Sequence, residues 1–549
     1  MMETAVEQKR QTESRRAEPP NVILIMCDQM RADHLGCYGQ QGIRTPHIDS
    51  LAESGTRFDR CYVASPVCMP NRASIFTGRH PSAHRVRMNG IPLSLQENTF
   101  VELLRLRGYK TALLGKAHLQ NMYEMSPLVQ AAPAPAGKWV APPGAREAYR
   151  YDSRDDYGQE LSGRWAGQAP PDVRLPFYGF EHVRFCTEHG DLVSGHYRHW
   201  LRGQGVDPAD YAGAENSLPH DYTCPQAWRT RMPEELYPTR YVQNEAVAFL
   251  KEHAADDAQQ PFFLTVSFPD PHHPFTPPGR YWDMYSPDEQ ILPASYHCAD
   301  DVLPQVRWAR EQRKKAKPSN QSFGAFHVTE REAKEAQALT FGMISMIDDA
   351  IGEMLRTLDE TRLRRNTVIV FTSDHGDFLG DHSLLLKGPL HLNGLLRVPL
   401  ILSGLAGAEP ARGASPHLCS SMDISATILD LCDIHPYNGL QGRSLLDDAR
   451  EGGGASAPAG VLIEDDSQAP HLGFEIAPRI RTLITDRYRL SVYGRTGHAE
   501  LFDLVDDPHE LNNRWADRAY AGIRCRLMEE LAMLEMEAAD TSPWPVYAA

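Results

Sequence analysis

The sequence lacks any apolar run of the roughly 20 residues that a helix needs to cross a bilayer. Its first 20 residues are polar and charged, and they contain no apolar core of the kind found in secretory signals. We therefore interpret residues 1–20 as a disordered leader. We expect a cytoplasmic protein with no membrane partner.

Cysteine is scarce and scattered. The 549 residues include 10 cysteines, with no paired spacing typical of zinc ligation or of a disulfide framework. With no export signal, reduced thiols in a cytoplasmic setting are the expected state.

Positive charge is also in short supply. The chain has 56 Lys and Arg against 72 Asp and Glu, for a formal net charge of -16. Binding to nucleic acid or to an anionic membrane needs a basic face, so this balance argues against both partners. An anionic substrate must instead be attracted by a local cluster of positive side chains.

Short apolar segments alternate along the chain with amphipathic helical patterns. We predict strands at residues 21–26, 111–114, 261–268, 367–371 and 398–402, and helices at 99–108, 239–250 and 329–358. This succession is typical of βαβ units. We therefore predict an α/β fold with a large mixed, mainly parallel sheet flanked by helices.

The chain is too long for one simple core, so we predict a large domain followed by a smaller one. The large domain spans residues 21–450, and a Gly/Ala-rich stretch at 451–460 begins a smaller α+β subdomain at 451–549. Regular patterns break at residues 125–221, which we interpret as a long excursion from the sheet. The aromatic and histidine content of residues 177–200 favours an ordered cover over a site.

Two of the predicted strands end in an acid that is followed by a second potential ligand. Asp28 and Gln29 follow the first strand, and Asp374 and His375 follow the strand at 367–371. Parallel strands bring such ends to one edge of a sheet, where the ligand sites of open α/β folds lie. Taken alone, Asp28 also fits a strand-ending turn residue.

Basic and imidazole side chains follow two other strands. Lys116 and His118 are two residues apart, so they point to one side of an extended segment. His272 lies between prolines that hold the backbone in place. Taken alone, the first pair also fits a solvated edge, and His272 also fits an ordinary loop histidine.

The most distinctive stretch begins at Cys68, with Pro70 and Arg72 behind it. Taken alone, Cys68 also fits a buried thiol beside a proline turn, because free cysteine usually behaves as a small hydrophobe. The Cys-x-Pro-x-Arg pattern resembles the signature of the type I sulfatases of the alkaline phosphatase superfamily. The other motifs follow in that family's order from about residue 21 to residue 512.

This resemblance implies that Cys68 is oxidised after synthesis to formylglycine, whose hydrated aldehyde supplies the nucleophile. It implies a formylglycine-generating enzyme as maturation partner and a small anionic sulfate ester as substrate. It also implies one divalent metal ion, held by Asp28, Gln29, Cys68, Asp374 and His375.

The resemblance further implies a set of side chains around the sulfate group. Arg72 would steady the formylglycine, Lys116 and Lys387 would bind sulfate oxygens, and Asn89 would add a neutral donor. His272, with Lys387, would protonate the leaving oxygen. The role of His118 would be to take the proton that lets sulfate depart.

Two ligand positions depart from the commonest sulfatase pattern, which has a second aspartate at Gln29 and an asparagine or glutamine at His375. The Gln/His combination resembles choline sulfatases and phosphonate monoester hydrolases of the same superfamily. An imidazole ligand shifts metal preference from calcium toward manganese, so the sequence leaves both ions open.

Three functions remain open. The first is a sulfatase acting on an aryl or small alkyl sulfate, favoured because residues 115–118 match the sulfatase pattern, from which phosphonate monoester hydrolases depart. The second is a phosphonate monoester or phosphodiester hydrolase, and the third is an inactive binding protein whose cysteine is never matured. The sequence also leaves open whether the chain forms a homo-oligomer.

Overall fold

The computed structural model describes residues 19–128, 136–142, 145–150, 156–256, 260–298, 303–320, 324–405, 413–449 and 458–547. Most of the predicted leader at 1–20 and of the predicted boundary at 451–460 lies outside these residues. The domain limits therefore stay predictions.

Strands and helices alternate through most of the described chain. The strands are β1 (Asn21–Cys27), β2 (Gly55–Tyr62), β3 (Lys110–Gly115), β4 (His182–Thr187), β5 (Ser194–Gly195), β6 (Phe262–Ser267), β7 (Phe326–His327), β8 (Thr367–Ser373), β9 (Leu384–Leu385), β10 (Leu400–Ser403), β11 (Gly413–Ser420), β12 (Val461–Asp466), β13 (Arg479–Ile484), β14 (Tyr488–Gly494) and β15 (His498–Asp503). The α-helices are α1 (Pro46–Glu53), α2 (Cys68–Thr77), α3 (Pro81–His84), α4 (Phe100–Leu106), α5 (His196–Gly203), α6 (Pro238–Ala255), α7 (Pro304–Lys315), α8 (Glu330–Glu360), α9 (Asn393–Leu396), α10 (Asp423–Leu431) and α11 (Ala521–Glu537).

The main sheet is mixed and mainly parallel. Within the described residues it has nine strands, in the order β11-β2-β10-β8-β1-β6-β3-β4-β5. Strands β8, β1, β6, β3 and β4 run parallel to one another, whereas β10 is antiparallel to both β8 and β2. This order confirms the predicted α/β architecture.

The central strand β1 is buried on both faces. Val22, Leu24 and Met26 pack into one hydrophobic core, and Ile23 and Ile25 pack into another. Because successive strand side chains point to opposite faces, a continuously apolar strand needs cover on both sides of the sheet. Helices α2, α4 and α10 cover the first face, and α1, α6 and α8 cover the second.

The predicted excursion at 125–221 returns to the sheet, which corrects that interpretation. Strand β4 pairs in parallel with β3, from Ala112 opposite His182 to Gly115 opposite Phe185. Val183 and Phe185 alternate with polar residues and enter the hydrophobic core. Because polar residues interrupt its apolar positions, this strand lacks the continuous apolar run that predicts the other strands.

The C-terminal residues form the predicted smaller α+β unit. Its antiparallel sheet has the order β12-β13-β14-β15. One face of this sheet packs against helix α11 through Leu462, Leu483, Leu490, Leu501, Leu527 and Leu531.

All ten cysteines lie within the described residues, and all are free. Among the described helices, none combines the length and the apolar character required to span a bilayer.

A buried arginine joins the C-terminal sheet to the main domain. Arg489 on β14 donates from Nη1 to Glu500 Oε2 at 2.8 Å and from Nε to Glu510 Oε1 at 2.5 Å. Glu510 also accepts from the backbone N–H of Asn393 in α9 at 2.8 Å. Burial alone would raise the pKa of Glu500, but the neighbouring Arg489 guanidinium lowers it to about 2.

We expect Arg489→Ala to destabilise the protein, because it leaves two carboxylates buried without their cation. Removing one partner of a buried ion pair costs about 3–5 kcal/mol. The measurement is the midpoint of urea unfolding, followed by tryptophan fluorescence. Arg487→Ala is the matched control, since Arg487 also pairs with carboxylates but its side chain is 45% exposed. Equal shifts of the midpoint in the two variants would contradict the expectation.

Candidate active site

The carboxyl ends of β1 and β8 bring the two predicted acids together. The strands are parallel neighbours, and Asp28 and Asp374 directly follow them. The backbone N–H of Gln29 donates to Asp374 Oδ1 at 3.0 Å. Potential ligand atoms of Asp28, Cys68, Asp374 and His375 all lie within 4.8 Å of one another, and all four residues are buried. The fold thus groups these four predicted ligands at one edge of the sheet.

Cys68 is the first residue of helix α2. Pro70 fits this helix because it lies in the first turn, where a backbone N–H has no partner within the helix. The Cys68 Sγ atom lies 3.0 Å from His375 Nε2. Burial raises the pKa of Cys68, but the cations of Lys387 and Lys116 outweigh burial and leave the pKa below its ordinary value. Cys68 therefore faces charged groups and is not packed only among apolar side chains.

Arg72 lies one turn further along α2 and ties several strand ends together. Its Nε donates to Asp374 Oδ2 at 2.7 Å, and its Nη1 donates to the backbone oxygen of Lys116 at 2.8 Å and to Ser267 Oγ at 3.0 Å. Its Nη2 lies 3.6 Å from Asp28 Oδ2. One planar guanidinium thus orients both carboxylates and offsets part of their charge.

Lys116 follows β3 and lies beside the acids. Its fully buried Nζ donates to Asp28 Oδ2 and lies 2.6 Å from His189 Nε2. Burial alone would raise the pKa of Asp28, but the cations of Lys116 and, to a smaller extent, Arg72 leave it below its ordinary value. Asp28 is therefore an ionised carboxylate in the folded protein.

Lys387 brings a second ammonium to the site. It donates to Gln29 Oε1 at 2.9 Å and to His272 Nε2 at 2.7 Å. Because His272 Nδ1 donates to the backbone oxygen of His273 at 2.5 Å, its Nε2 carries the accepting lone pair. Burial lowers the pKa of His272 well below its ordinary value, so this imidazole is neutral.

Gln29 has the left-handed backbone conformation, with φ of 64°. Its side-chain Nε2 donates to Asp377 Oδ2 and to His273 Nδ1, the latter at 3.1 Å. These bonds turn the amide oxygen toward Lys387. An aspartate has no N–H to donate to the same partners, which accounts for the glutamine at this position.

His118 and Asn89 complete the predicted set. His118 Nδ1 is buried without a hydrogen-bond partner among the described residues, and burial lowers its pKa well below the ordinary value. The half-buried Asn89 accepts through Oδ1 from the backbone N–H of Met69 at 3.1 Å, beside Cys68. Its amide nitrogen remains as a donor.

Sequence reasoning missed Glu160, His189 and Asp377. Glu160 accepts from the backbone N–H groups of residues 118, 119 and 120 at 2.6 to 2.9 Å, and so holds the His118 loop. A signal for His189 was present: an acid-His-Gly-Asp pattern occurs at 374–377 and again at 188–191, each time directly after a strand. Its meaning depended on recognising β4.

The donor set fits a divalent cation. Asp28 and Asp374 offer carboxylates, and His375 offers an imidazole whose Nε2 lies 3.7 and 3.8 Å from oxygens of the two acids. The amide oxygen of Gln29, the fifth predicted ligand, accepts from Lys387 in this structure. His375 Nδ1 donates to the backbone oxygen of Gly376 at 2.8 Å, which turns Nε2 toward the acids. Two buried carboxylates with oxygens within 4.8 Å of each other need positive charge between them.

Comparison with known proteins agrees with this geometry. The family model "Sulfatase" matches residues 20–434, and the model "N-sulphoglucosamine sulphohydrolase, C-terminal" matches residues 380–537. The chain is 28% identical to an arylsulfatase of Clostridium perfringens over 90% of each chain. It is also 28% identical to a choline-sulfatase of Rhizobium meliloti, covering 90% of this chain and 82% of that protein. A crystal structure of a phosphonate monoester hydrolase of Agrobacterium radiobacter has a TM-score of 0.73 at 25% identity, covering 95% of this chain and 97% of that one.

Fold and site together define a hydrolase with a mixed, mainly parallel sheet flanked by helices. The chain belongs to the sulfatase family, and it is a sulfatase-family enzyme. The resemblance to type I sulfatases of the alkaline phosphatase superfamily is thereby confirmed.

We expect Arg72→Lys to weaken binding of Mn²⁺ by about 10- to 100-fold, as is typical when a group that orients a ligand is lost. A lysine cannot contact Asp374, Ser267 and the backbone of Lys116 together. Calorimetric titration with Mn²⁺ measures the affinity. Arg79→Lys is the matched control, because Arg79 is also buried but pairs with Glu97, away from the acids. Unchanged Mn²⁺ affinity in a folded Arg72→Lys protein would refute the assigned role.

Proposed function

We propose that this protein hydrolyses a sulfate monoester of an aryl or small alkyl alcohol. The supporting observation is the convergence of Lys116 and Lys387 on a buried cysteine beside two acids. In a chain with a formal net charge of -16, such a pocket is a local attraction for an anion.

Two groups not encoded as side chains complete the proposal. Asp28, Gln29, Asp374, His375 and the modified Cys68 would hold a divalent ion that would neutralise sulfate charge, and formylglycine derived from Cys68 would supply the attacking hydroxyl. The imidazole of His375 favours manganese over calcium at this site.

The chain's own cations bind the nonbridging sulfate oxygens. Lys116 and Lys387 each have three N–H donors, of which two are used within the protein. The Asn89 amide, held beside the start of α2 by its bond with the N–H of Met69, adds a neutral donor. Fixed donors of this kind stabilise the charge that develops in the transition state.

Neutral imidazoles handle the protons. Because neutral His272 accepts from Lys387, the proton that this pair delivers to the leaving oxygen comes from the Lys387 ammonium, which becomes a neutral amine still bonded to His272. His118 is neutral, and its Nδ1 has no hydrogen-bond partner within the described part of the chain, so it is placed to accept the proton that the second hydroxyl of hydrated formylglycine would give up as sulfate departs. Glu160 keeps His118 in place by binding three successive backbone amides.

Maturation of Cys68 by a formylglycine-generating enzyme is part of the proposal. An unmodified thiol has no second hydroxyl with which to eliminate sulfate. A protein that stayed unmatured would be an inactive binding protein.

We expect the tryptic fragment of residues 61–72, from protein co-expressed with a formylglycine-generating enzyme, to be lighter by about 18 Da than the unmodified peptide. We expect Cys68→Ala to lower turnover of 4-nitrophenyl sulfate by on the order of 10³-fold or more, because the nucleophile is lost. Cys432→Ala is the matched control, since this buried thiol lies in the hydrophobic core. An unmodified fragment from a protein with full activity would refute the proposal.

A phosphonate monoester hydrolase is the second candidate. It is favoured by the Gln29 and His375 pair and by the likeness to the solved phosphonate monoester hydrolase. The ratio of kcat/KM for 4-nitrophenyl sulfate to that for a phenylphosphonate monoester separates the two. A ratio well below one would favour the second candidate.

We expect a protein stripped of metal by a chelator to lose activity and to regain more with Mn²⁺ than with Ca²⁺. The physical reason is the imidazole of His375, because calcium prefers oxygen ligands. His375→Asn replaces the imidazole by an amide oxygen and is expected to move the preference toward Ca²⁺. The measurement is the ratio of Mn²⁺-supported to Ca²⁺-supported turnover, and an equal ratio in both proteins would contradict the assignment of His375.

A further inference from the structure

His189 reaches the site from the segment that sequence analysis placed outside the sheet. It follows β4, the parallel neighbour of β3, so its loop lies at the same edge as Lys116. The side chain is 10% exposed, and its Nε2 lies 2.6 Å from Lys116 Nζ and 3.6 Å from Asp28 Oδ2. Its ring stacks on that of His272, with centroids 3.6 Å apart and planes 15° apart.

The loop that carries His189 is held close to the His272 loop. Gly190 has φ of 54°, and a Cβ there would come within 2.8 Å of the backbone oxygen of Pro274. The next backbone N–H, of Asp191, donates to Thr276 Oγ1 at 3.1 Å. This contact requires glycine at 190 and fixes the imidazole between two elements.

Lys116 has only donors, so the bond with His189 requires the imidazole Nε2 to accept. Two of the three N–H bonds of Lys116 are thereby directed to Asp28 and His189. The direction of the third is then set by tetrahedral geometry. A lysine on a flexible stem is otherwise a poorly oriented charge.

Lys387 is held in a matching way, by Gln29 and His272. Asp28 and Gln29 are consecutive residues, and the two imidazoles stack. Each lysine therefore has one partner from the end of β1 and one from the stacked histidine pair.

We propose that His189 is a positioning residue that directs Lys116 toward a sulfate oxygen. The inference rests on the proposed hydrolysis of a sulfate ester. The imidazole accepts a hydrogen bond from Lys116 Nζ and stacks on the ring of His272. Without it, Asp28 is the remaining partner of the ammonium, and the third N–H loses its fixed direction.

The test is calorimetric titration of matured, Mn²⁺-loaded protein with inorganic sulfate, which needs no turnover. His189→Phe keeps a stacking ring but removes the acceptor, and we expect it to weaken sulfate binding by about tenfold, the effect of losing one charge-assisted hydrogen bond. His189→Gln keeps an acceptor oxygen, and we expect binding within about threefold of the wild type. His199→Ala, in the same segment but outside the site, is the matched control.

A double-mutant cycle separates positioning from a general structural effect. We expect His189→Phe to change sulfate affinity less than about twofold when Lys116 is already alanine, because its effect acts through that lysine. An effect of the same size with and without Lys116 would overturn the inference. So would wild-type affinity in His189→Phe, equal losses in the Phe and Gln variants, or no sulfate binding by the wild-type protein.

Turnover of 4-nitrophenyl sulfate by the wild-type protein is measured in parallel. Its absence, together with sulfate binding that responds to His189, would refute the proposed reaction and leave the positioning role standing. If the wild-type protein turns over 4-nitrophenyl sulfate but substitution of His189 leaves sulfate affinity unchanged, the positioning role is refuted and the proposed reaction stands.

Discussion

The site depends on burying opposite charges together at one edge of a sheet. Asp28 and Asp374 are fully buried, and so are Arg72 and Lys116. Removing an ion from water costs several kcal/mol, so each of these charges needs a partner of opposite sign within reach. No single strand end can supply both signs in the required directions. Groups from the ends of β1, β3 and β8 and from helix α2 therefore meet in one place, and the parallel sheet is what aligns these ends.

A second layer of polar groups holds the charged ones in position. Glu160 accepts from the backbone N–H groups of His118 and of the two residues after it, and Asp377 accepts from the side-chain amide of Gln29. His189 likewise holds Lys116 in position, through the bond between its Nε2 and the lysine Nζ. Electrostatic stabilisation of a reacting anion needs donors that are already oriented, because reorienting them during the reaction costs free energy. Burial of this layer provides that rigidity.

Much of the fold follows from local sequence pattern. The continuous apolar run of β1 and the amphipathic pattern of α8 are strong local signals, and both elements form where the pattern predicts. The convergence of Asp28 and Asp374 follows as well, because parallel strands end at one edge. Strands β2, β4 and β11 gave no such signal, since polar residues interrupt their apolar positions. For the same reason the sequence predicted that the segment at 125–221 leaves the sheet.

The sequence by itself determined the family, the order of the strand-ending acids and the residue types available for chemistry, because each is carried by adjacent or regularly spaced residues. Only the tertiary structure decided that Cys68 begins a helix, that Glu160 cradles the His118 loop and that His189 contacts Lys116. The last two features join segments 40 to 73 residues apart. The contact of His189 depends on the pairing of β4 with β3, and no local pattern encodes that pairing.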